Sequence, residues 1–322
     1  MDMKSRDGQA ALSYTAATRG LSPIPLWEQQ LPTVVAEPYF KVSDDALALE
    51  GPAFDRAGNL LFVDIYGGRV LRLTPDRQLS TVYTDATLRP AGIAIHKDGR
   101  IFVGGVGDFH AGRVIAIDPD GGNVQTIVPA SAGYVVDDLV FDSEGGFYFT
   151  DFKGAATRAT GGVYYNSPDC QTITPVLPDM AAANGVALSP DGKVLWATEF
   201  CANRLHRMEL ADAATIAHFG STVPYHFTGR APDSMRTDAD GNVYVAMYYQ
   251  GRMLAFSPYG VPIGQIVLPG RDENRFLKST SLAFRPGTRE VFIVARDEVG
   301  GGGAMVFRAE AFAVGTTLFS HQ

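Results

Sequence analysis

A short pattern of apolar and polar positions recurs six times along the chain. Each copy begins with small or apolar residues, passes through a tight turn that contains glycine, and continues into a dense run of Val, Ile, Leu, Phe and Tyr. The turn glycines lie at positions 58, 99, 145, 192, 241 and 287, so the spacings are 41, 46, 47, 49 and 46 residues. Turns that favour positive φ between two β-rich runs predict one β-hairpin per copy.

A third apolar run follows each hairpin, as at Arg69–Leu73 and Arg113–Ile117. Four strands of about 5 to 6 residues with short connections need about 40 to 46 residues, which is the length of one propeller blade. The connections are rich in Gly, Pro and Asp and show no helical periodicity, which argues against a doubly wound α/β fold. The sequence therefore predicts an all-β fold, a six-bladed β-propeller of four-stranded blades around a central channel.

The predicted propeller occupies residues 31–322 as a single domain. Residues 1–30 carry no strong pattern, and we expect an N-terminal arm there without regular structure. Residues 33–36 are the candidate for the strand that closes the ring. The glycines at 300–303 fall between two predicted strands and indicate a flexible hairpin rather than a phosphate-binding loop.

The residue eight places before each turn glycine occupies the same structural position in every blade, at the start of the innermost strand. We call this the register position; it is held by Glu50, Ala91, Asp137, Asn184, Asp233 and Ser279. Innermost strands line the channel of a propeller, so these side chains are expected to converge. Three carboxylates and one amide without a basic partner would repel one another unless a cation compensated them.

Oxygen donors favour a hard ion, so Ca²⁺ is the first expectation, with Mg²⁺, Mn²⁺ or Zn²⁺ as substitutes. The alternative is that these acids are solvated caps of strand starts. That interpretation suits a single acid better than four oxygen-bearing residues in one register.

The composition of the chain argues against several classes of binding partner. Asp and Glu number 35 against 27 Lys and Arg, giving a net charge of −8 without a basic stripe, which argues against nucleic acid and anionic membranes as partners. No apolar run is long enough for a membrane-spanning helix, and the N-terminal residues show no apolar core of a secretion signal. Cys170 and Cys201 form no CxxC pair. We expect a cytoplasmic monomer or weak homodimer that acts on a small molecule.

Several segments resemble a known family. Residues 49–52, 137–142, 183–189 and 232–234 are similar to motifs of the gluconolactonase and senescence-marker-protein family of metal-dependent lactonases. Residues 145–152, 203–207 and 262–266 resemble, more narrowly, its staphylococcal drug-responsive branch. The similarity runs from about residue 40 to the C-terminus.

The resemblance implies a six-bladed propeller, a catalytic calcium and hydrolysis of lactone esters. It also implies a ligand set of Glu50, Asp137, Asn184, Asp233 and Ser234, with Asp233 handling the proton. Four of these residues hold the register position; the resemblance adds Ser234, whose other interpretation is a strand-start cap.

One departure from the resemblance concerns a second, structural calcium in that narrower branch. Its oxygen-bearing side chains in the segment before blade three are replaced here by Pro129 and Ala132, whereas Tyr134 matches. The blade-two loop at 108–112 is also shortened. We therefore expect the second calcium site to be weak or absent.

In the expected mechanism, calcium polarises the lactone carbonyl. Asp233 is the base, which accepts a proton from water and returns it to the leaving alkoxide. Asp138 is an alternative base, although strand alternation would point its side chain away from the channel. The chain lacks GxSxG, HExxH and Walker motifs.

Loops after the second strand of each blade are expected on the metal face, where an aromatic rim would favour a compact, partly apolar or aromatic lactone. The candidate substrate-binding residues are Tyr66, Phe109, Phe152, Phe200, His226 and Tyr248, with Tyr249 beside them. Packing of these rings between blades, and of His226 in a loop, is the other interpretation. Two alternatives to a lactonase stay open: a non-catalytic propeller that binds a protein or small molecule, and a hydrolase of another bond, such as a phosphotriester or cyclic imide.

Overall fold

Six blade sheets, antiparallel except for one added strand, surround a central channel in the computed structural model, which describes residues 13–15 and 18–322. The predicted six-bladed β-propeller with mainly four-stranded blades is confirmed. Two strands that come first in the chain, β1 (Thr33–Val35) and β2 (Glu37–Ser43), are added to blades five and six. Each blade otherwise runs outward from the channel in chain order.

The first three blades contain the following strands. Blade one comprises β3 (Leu49–Phe54), β4 (Leu60–Asp64), β5 (Arg69–Leu73) and β6 (Leu79–Thr84). Blade two comprises β7 (Pro90–Ile95), β8 (Ile101–Gly105), β9 (Arg113–Ile117) and β10 (Gln125–Val128). Blade three comprises β11 (Val136–Phe141), β12 (Phe147–Asp151), a side hairpin β13 (Gly154–Ala155) and β14 (Arg158–Ala159), β15 (Gly161–Asn166) and β16 (Ile173–Met180).

The last three blades follow the same plan. Blade four comprises β17 (Ala183–Leu188), β18 (Val194–Glu199), β19 (Arg204–Asp212) and β20 (Thr215–His226). Blade five comprises β21 (Pro232–Thr237), β22 (Val243–Met247), β23 (Arg252–Phe256) and β24 (Pro262–Val267). Blade six comprises β25 (Lys278–Phe284), β26 (Glu290–Asp297) and β27 (Gly303–Glu310). Short 3₁₀ helices lie at Leu26–Glu28, Ala130–Ala132, Arg271–Glu273 and Phe319–His321.

The ring is closed by β2, which pairs antiparallel with β27 as the outermost strand of blade six. The expectation that residues 33–36 close the ring is wrong, because the next strand along the chain, β2, closes it. Thr33–Val35 instead pairs in parallel with β24 and becomes a fifth, outermost strand of blade five. Its side chains are exposed, so the strand is held by backbone pairing rather than by burial.

The hydrophobic core is divided among the blade interfaces. In the described part of the chain, one apolar cluster lies between each pair of neighbouring blades. The first and second strands are buried on both faces, because each sheet packs between two others, which explains their dense Val, Ile, Leu and Phe content. This packing fixes the inner strands around the channel.

The six turn glycines identified from the sequence have positive φ values, from 68° at Gly192 to 95° at Gly99 and Gly145. They join the first and second strands of the blades and therefore lie at one face of the ring. The register positions lie at the other face, where the inner strands begin. Residues 298–302 connect β26 and β27, so the glycines at 300–302 lie between two strands as expected, and Gly303 begins β27.

The predicted N-terminal arm falls partly outside the described residues, which omit 1–12 and 16–17. Within its described part, Glu28 is buried at the outer side of blade five, where it forms an ion pair with Arg252. Among the described residues, no helix has the length and apolar character needed to cross a membrane.

Candidate functional site

A β-bulge interrupts each inner strand at or beside its register position. In blade three, Val136 pairs with Asp151 and Leu139 pairs with Phe149, so Asp137 and Asp138 together face a single partner residue. The corresponding shifts in the other blades fall between Glu50 and Ala53, Pro90 and Gly92, Ala183 and Val186, Pro232 and Met235, and Ser279 and Ser281. Bulges break the strict alternation of a strand and redirect side chains. They therefore explain how this end of each strand can present functional groups to the channel.

Glycine at the bulge lets neighbouring inner strands approach closely. A Cβ atom on Gly185 would lie 2.6 Å from the backbone oxygen of Asp233, and one on Gly92 would lie 2.5 Å from that of Asp137. Such separations are too short for any side chain larger than hydrogen. The sequence thus uses Gly where the backbone of the next blade carries a candidate ligand.

Three buried carboxylates, Glu50, Asp137 and Asp233, influence one another electrostatically at this end of the channel. Burial, together with the neighbouring Asp137, raises the pKa of Glu50 well above its ordinary value. Burial and the charge of Asp138 raise the pKa of Asp137 to about 8. Burial, Glu50 and Asp137 raise the pKa of Asp233 well above its ordinary value. Ionising all three without a counter-charge is therefore unfavourable.

Asn184 and Ser234 complete the group. The Asn184 side-chain oxygen Oδ1 is buried and accepts no hydrogen bond from any described residue. The Ser234 hydroxyl lies 3.5 Å from Glu50 Oε2, and the Ser234 N–H donates to Asp233 Oδ1 at 3.1 Å. Buried polar atoms are normally satisfied, so an orphaned oxygen beside three carboxylates fits a cation-binding role.

Within residues 13–15 and 18–322, no three His, Cys, Asp or Glu side chains form a metal site by themselves. An ion at this position would need the amide oxygen of Asn184 in addition to the acids. The donor set fits a hard cation in chemistry: every candidate ligand presents oxygen.

Asp138 does not point away from the channel, so the alternation argument is wrong there. Its carboxylate is fully buried and receives two hydrogen bonds from Arg236 of blade five, at 2.8 and 3.3 Å. The N–H of Leu139 also donates to Asp138 Oδ1 at 2.9 Å. The bulge is the physical reason, because it places two consecutive side chains against one partner residue. With its oxygens occupied in this way, Asp138 is a poorer candidate for the base than Asp233.

Arg236 was missed by the sequence analysis, although a signal existed. Three places after the register position, the other blades carry Ala53, Ala94, Val140, Ala187 and Leu282. A charged residue at this inner-strand position in one blade alone predicts a specific partner inside the channel.

A cavity of about 560 Å³ opens at the opposite face, among the hairpin turns. Arg236, Leu139 and Leu188 belong to its lining, as does the C-terminal segment around Phe319. None of the register side chains Glu50, Asp137, Asn184 and Asp233 lines it. The Arg236–Asp138 pair therefore lies between this cavity and the acid cluster.

The aromatic rim forms a continuous arc over blades three to five. Ring centroids are 5.4 Å apart for Phe152 and Phe200, 5.9 Å for Phe200 and Tyr248, and 4.6 Å for Tyr248 and Tyr249. Burial raises the pKa of Tyr248, Arg296 opposes that shift, and the charge of Asp233 adds to it. The charge of Asp233 therefore contributes to the raised pKa of the Tyr248 hydroxyl.

The other candidate rim residues lie apart from this arc. Tyr66 and Phe109 are exposed, and Arg89 stacks over the Phe109 ring at 5.8 Å. Phe152 also packs against a small apolar cluster that contains Val106 and Val135, so pocket lining and packing between blades coincide in one ring.

His226 does not join the site, and its assignment to the pocket lining is wrong. It is exposed on β20, the outermost strand of blade four, where it pairs with Arg204. The chain then crosses from the outer edge of blade four to the inner strand of blade five. Closeness in sequence to Asp233 therefore does not bring His226 close in space.

The segment before blade three contains a short helix and a contact from a lysine side chain. Pro129 precedes the short helix Ala130–Ala132, and the ammonium group of Lys153 contacts the Gly133 carbonyl oxygen. Lys153 Nζ also lies 3.7 Å from Asp151 Oδ2. The absence of a second calcium site stays a prediction.

Residues 49–295 match the family model described as the SMP-30/Gluconolactonase/LRE-like region. The chain is 50% identical over 309 residues to lactonase drp35 of Staphylococcus saprophyticus, covering 94% of this chain and 95% of that protein. It is 46% identical over 325 aligned residues to lactonase drp35 of Staphylococcus aureus strain USA300, covering 99% and 100%.

Among solved structures, regucalcin of Agrobacterium tumefaciens, described as a calcium-binding protein, has a similar fold. The TM-score is 0.72 at 17% sequence identity, with 89% of this chain and 99% of that chain covered. At this identity the likeness supports the propeller fold and no finer conclusion.

Proposed function

The chain belongs to the SMP-30/gluconolactonase/LRE-like family, and on that premise we propose that it is a lactonase that hydrolyses lactone esters with the help of a divalent cation, calcium first. The observation that carries the proposal is the orphaned, buried Asn184 Oδ1 beside the carboxylates of Glu50, Asp137 and Asp233. The lactonases at 46–50% identity support the choice of ester bond.

The residues that would hold the ion are Glu50, Asp137, Asn184 and Asp233, with Ser234 contributing an oxygen. When bound, the ion would supply Lewis-acid polarisation of the lactone carbonyl and stabilise negative charge on its oxygen. Calcium activates water only weakly, so a side-chain base is needed beside it.

Asp233 is the residue to which we assign proton transfer. One of its oxygens is fixed by the Ser234 N–H, which orients the carboxylate. It would accept the proton of the attacking water and return it to the alkoxide that leaves when the ring opens. Asp138 cannot take this role without losing the hydrogen bonds from Arg236.

The aromatic arc of Phe152, Phe200 and Tyr248 would contact the substrate. Rings spaced 5.4 and 5.9 Å apart offer an apolar, partly exposed surface at the edge of the acid cluster. Such a surface favours aryl or otherwise compact apolar lactones over polyhydroxylated sugar lactones.

The test is a lactone panel that includes dihydrocoumarin, assayed with chelator-treated protein before and after addition of calcium, magnesium, manganese or zinc. We expect turnover only with added metal and its loss in Asp233→Asn. The matched control is Asp191→Asn, an exposed turn aspartate of blade four, which should behave as the wild type. Turnover without metal, or full activity in Asp233→Asn, would overturn the mechanism.

Substrates with other bonds belong in the same assay. Hydrolysis of a phosphotriester or a cyclic imide in preference to every lactone would replace the ester assignment while keeping the site. Failure to hydrolyse any of the three classes would favour a binding propeller.

A further inference from the structure

Two buried threonine hydroxyls connect the inner strands that carry the candidate ligands. We propose that Thr150 and Thr198 are positioning residues that set the spacing of Asp137, Asn184 and Asp233. This inference rests on the cation site of the proposed function. It concerns side chains that do not touch the ion or the substrate.

Thr150 lies on the second strand of blade three and is fully buried. Its Oγ1 accepts a hydrogen bond from the Asp138 N–H at 3.0 Å and donates one to the Asn184 carbonyl oxygen of blade four at 2.5 Å. The hydroxyl thus joins the bulge that carries Asp137 to the backbone of the next ligand residue.

Thr198 repeats this arrangement one blade further on. It is fully buried on the second strand of blade four, accepts from the Gly185 N–H at 2.7 Å, and donates to the Asp233 carbonyl oxygen of blade five at 2.8 Å. The two threonines therefore form a relay that runs from the bulge of blade three through Asn184 to Asp233.

Bulges explain why a hydroxyl is needed here. A bulge leaves one residue unpaired in the strand ladder, and its N–H requires another acceptor when it is buried. A hydroxyl can accept from that N–H and at the same time donate its single proton to a carbonyl of the next blade. An alkyl side chain of the same shape would leave both backbone groups unsatisfied.

The blades in which these threonines occur indicate a role in ligand spacing rather than in general blade packing. In the other four blades the corresponding second-strand residue has no hydroxyl and is Val63, Gly104, Ala246 or Ala295. The hydroxyl occurs at the two interfaces where both neighbouring inner strands carry a candidate ligand: Asp137 with Asn184, and Asn184 with Asp233.

The experiment compares calcium binding by Thr150→Val, Thr198→Val and their Thr→Ser counterparts, using isothermal titration of the chelator-treated full chain with calcium chloride. Residues that orient metal ligands typically contribute about 10- to 100-fold in affinity, so we expect each Val variant to bind calcium at least about tenfold more weakly. The Ser variants keep the hydroxyl and should bind within about threefold of the wild type.

Thr237→Val is the matched control. Thr237 is buried, and its hydroxyl donates to the Leu188 carbonyl oxygen across the same two blades at 2.7 Å, but toward the hairpin-turn end of the strands. We expect this variant to lose stability without losing calcium affinity. If Thr237→Val weakens calcium binding by the same factor, Thr150 and Thr198 contribute only to ordinary blade packing, and the proposal is overturned.

The outcomes distinguish this inference from the proposed function. A wild type that binds calcium together with a folded Thr198→Val that binds equally well overturns the relay alone. A wild type that binds none of calcium, magnesium, manganese or zinc overturns the proposed cation site and the relay with it. If a Val variant fails to fold, Thr→Ala at the same position gives the comparison, because it also removes the hydroxyl.

Discussion

Arg236 of blade five holds Asp138 of blade three across the channel, with guanidinium nitrogens 2.8 and 3.3 Å from the two carboxylate oxygens. The blades that supply the two residues are not neighbours, so the ion pair spans the inner strand of blade four. Both side chains are buried or nearly so. The pair forms the boundary between the acid cluster and the cavity at the hairpin-turn face.

Removing the cation of this pair would leave an uncompensated buried charge. We expect Arg236→Met to lower the free energy of unfolding by about 3–5 kcal/mol, measured by urea denaturation. Adding Asp138→Asn to that variant should recover part of the loss, because the remaining partner is then neutral. Arg308→Met, which breaks surface ion pairs with Glu37 at 3.1 Å and Glu290 at 3.3 Å, is the control and should change stability by less than about 1 kcal/mol. Similar losses in both single variants would contradict the assignment.

The close approach of blades four and five predicts the effect of a single methyl group. In Gly185→Ala the new Cβ would lie 2.6 Å from the Asp233 backbone oxygen, so the two inner strands must separate. We expect a lower melting temperature and a smaller rise of that temperature on calcium addition. Gly20→Ala, whose Cβ would make an ordinary 3.6 Å contact, is the control. An unchanged calcium-induced shift in Gly185→Ala would show that this spacing does not matter for the ion.

The aromatic arc predicts which lactones have a higher KM when one of its rings is removed. Phe200 is the middle ring, so Phe200→Ala removes contacts with both Phe152 and Tyr248. An aromatic contact is worth about 0.5–1.5 kcal/mol, which corresponds to up to about a tenfold rise in KM. We expect that rise for an aryl lactone and a smaller one for an aliphatic lactone. Tyr259→Ala, at an exposed ring on the turn between β23 and β24, should leave both KM values unchanged.

The pair of Glu199 and His206 predicts a pH dependence of stability. Burial favours a higher pKa for Glu199, but hydrogen bonds from His206 and the Ala181 N–H and the charges of His206 and Arg204 outweigh it, so the pKa lies below its ordinary value. A carboxyl whose pKa is lowered by folding stabilises the folded state above its unfolded pKa of about 4.5, and the benefit disappears as the pH falls through the folded pKa.

Stability should therefore decline on acidification below about pH 4.5, and the decline should be shallower in Glu199→Gln. The measurement is urea denaturation at a series of pH values, with Asp240→Asn at an exposed turn as the control. Parallel pH profiles for the wild type and Glu199→Gln would contradict the assignment.

Much of the fold could be predicted from the residue types of short sequence segments. Turn glycines require positive φ, and buried second strands require apolar residues on both faces, so Gly99 or the run from Phe147 could be interpreted without any distant contact. The register position followed from the same repeat and brought Glu50, Asp137, Asn184 and Asp233 to one end of the channel.

The parts that escaped prediction depend on departures from the repeat. Asp138 faces Arg236 because a bulge suspends strand alternation, and the bulge is defined by pairing between strands rather than by residue type. His226 lies near Asp233 in sequence, but it is on the outermost strand of blade four, and the chain crosses to the inner strand of blade five before Asp233. The strand at Thr33–Val35 pairs with β24 of blade five, and the nearby Glu28 is bound by a side chain more than 190 residues away, so neither contact could be found from the local sequence.

That anchor supports the last prediction. Glu28 and Arg252 are each 1% exposed, and Arg252 Nη2 lies 2.5 Å from Glu28 Oε2. The Tyr225 hydroxyl donates to Glu28 Oε1, and Arg252 is further held by Gln250 and Gln265 at 2.8 and 2.9 Å.

Glu28→Ala removes the only carboxylate that the described structure places against the buried Arg252 guanidinium, so we expect unfolding to become about 3–5 kcal/mol easier. Glu28→Gln keeps hydrogen-bonding atoms of the same shape and should lose less. Trp27→Ala, at the exposed neighbouring residue, is the control and should stay close to the wild type. Limited proteolysis should cut the segment before β1 faster in Glu28→Ala alone. Equal resistance of all three variants would mean that backbone pairing of β1 with β24, and not the buried ion pair, holds the N-terminal segment against blade five.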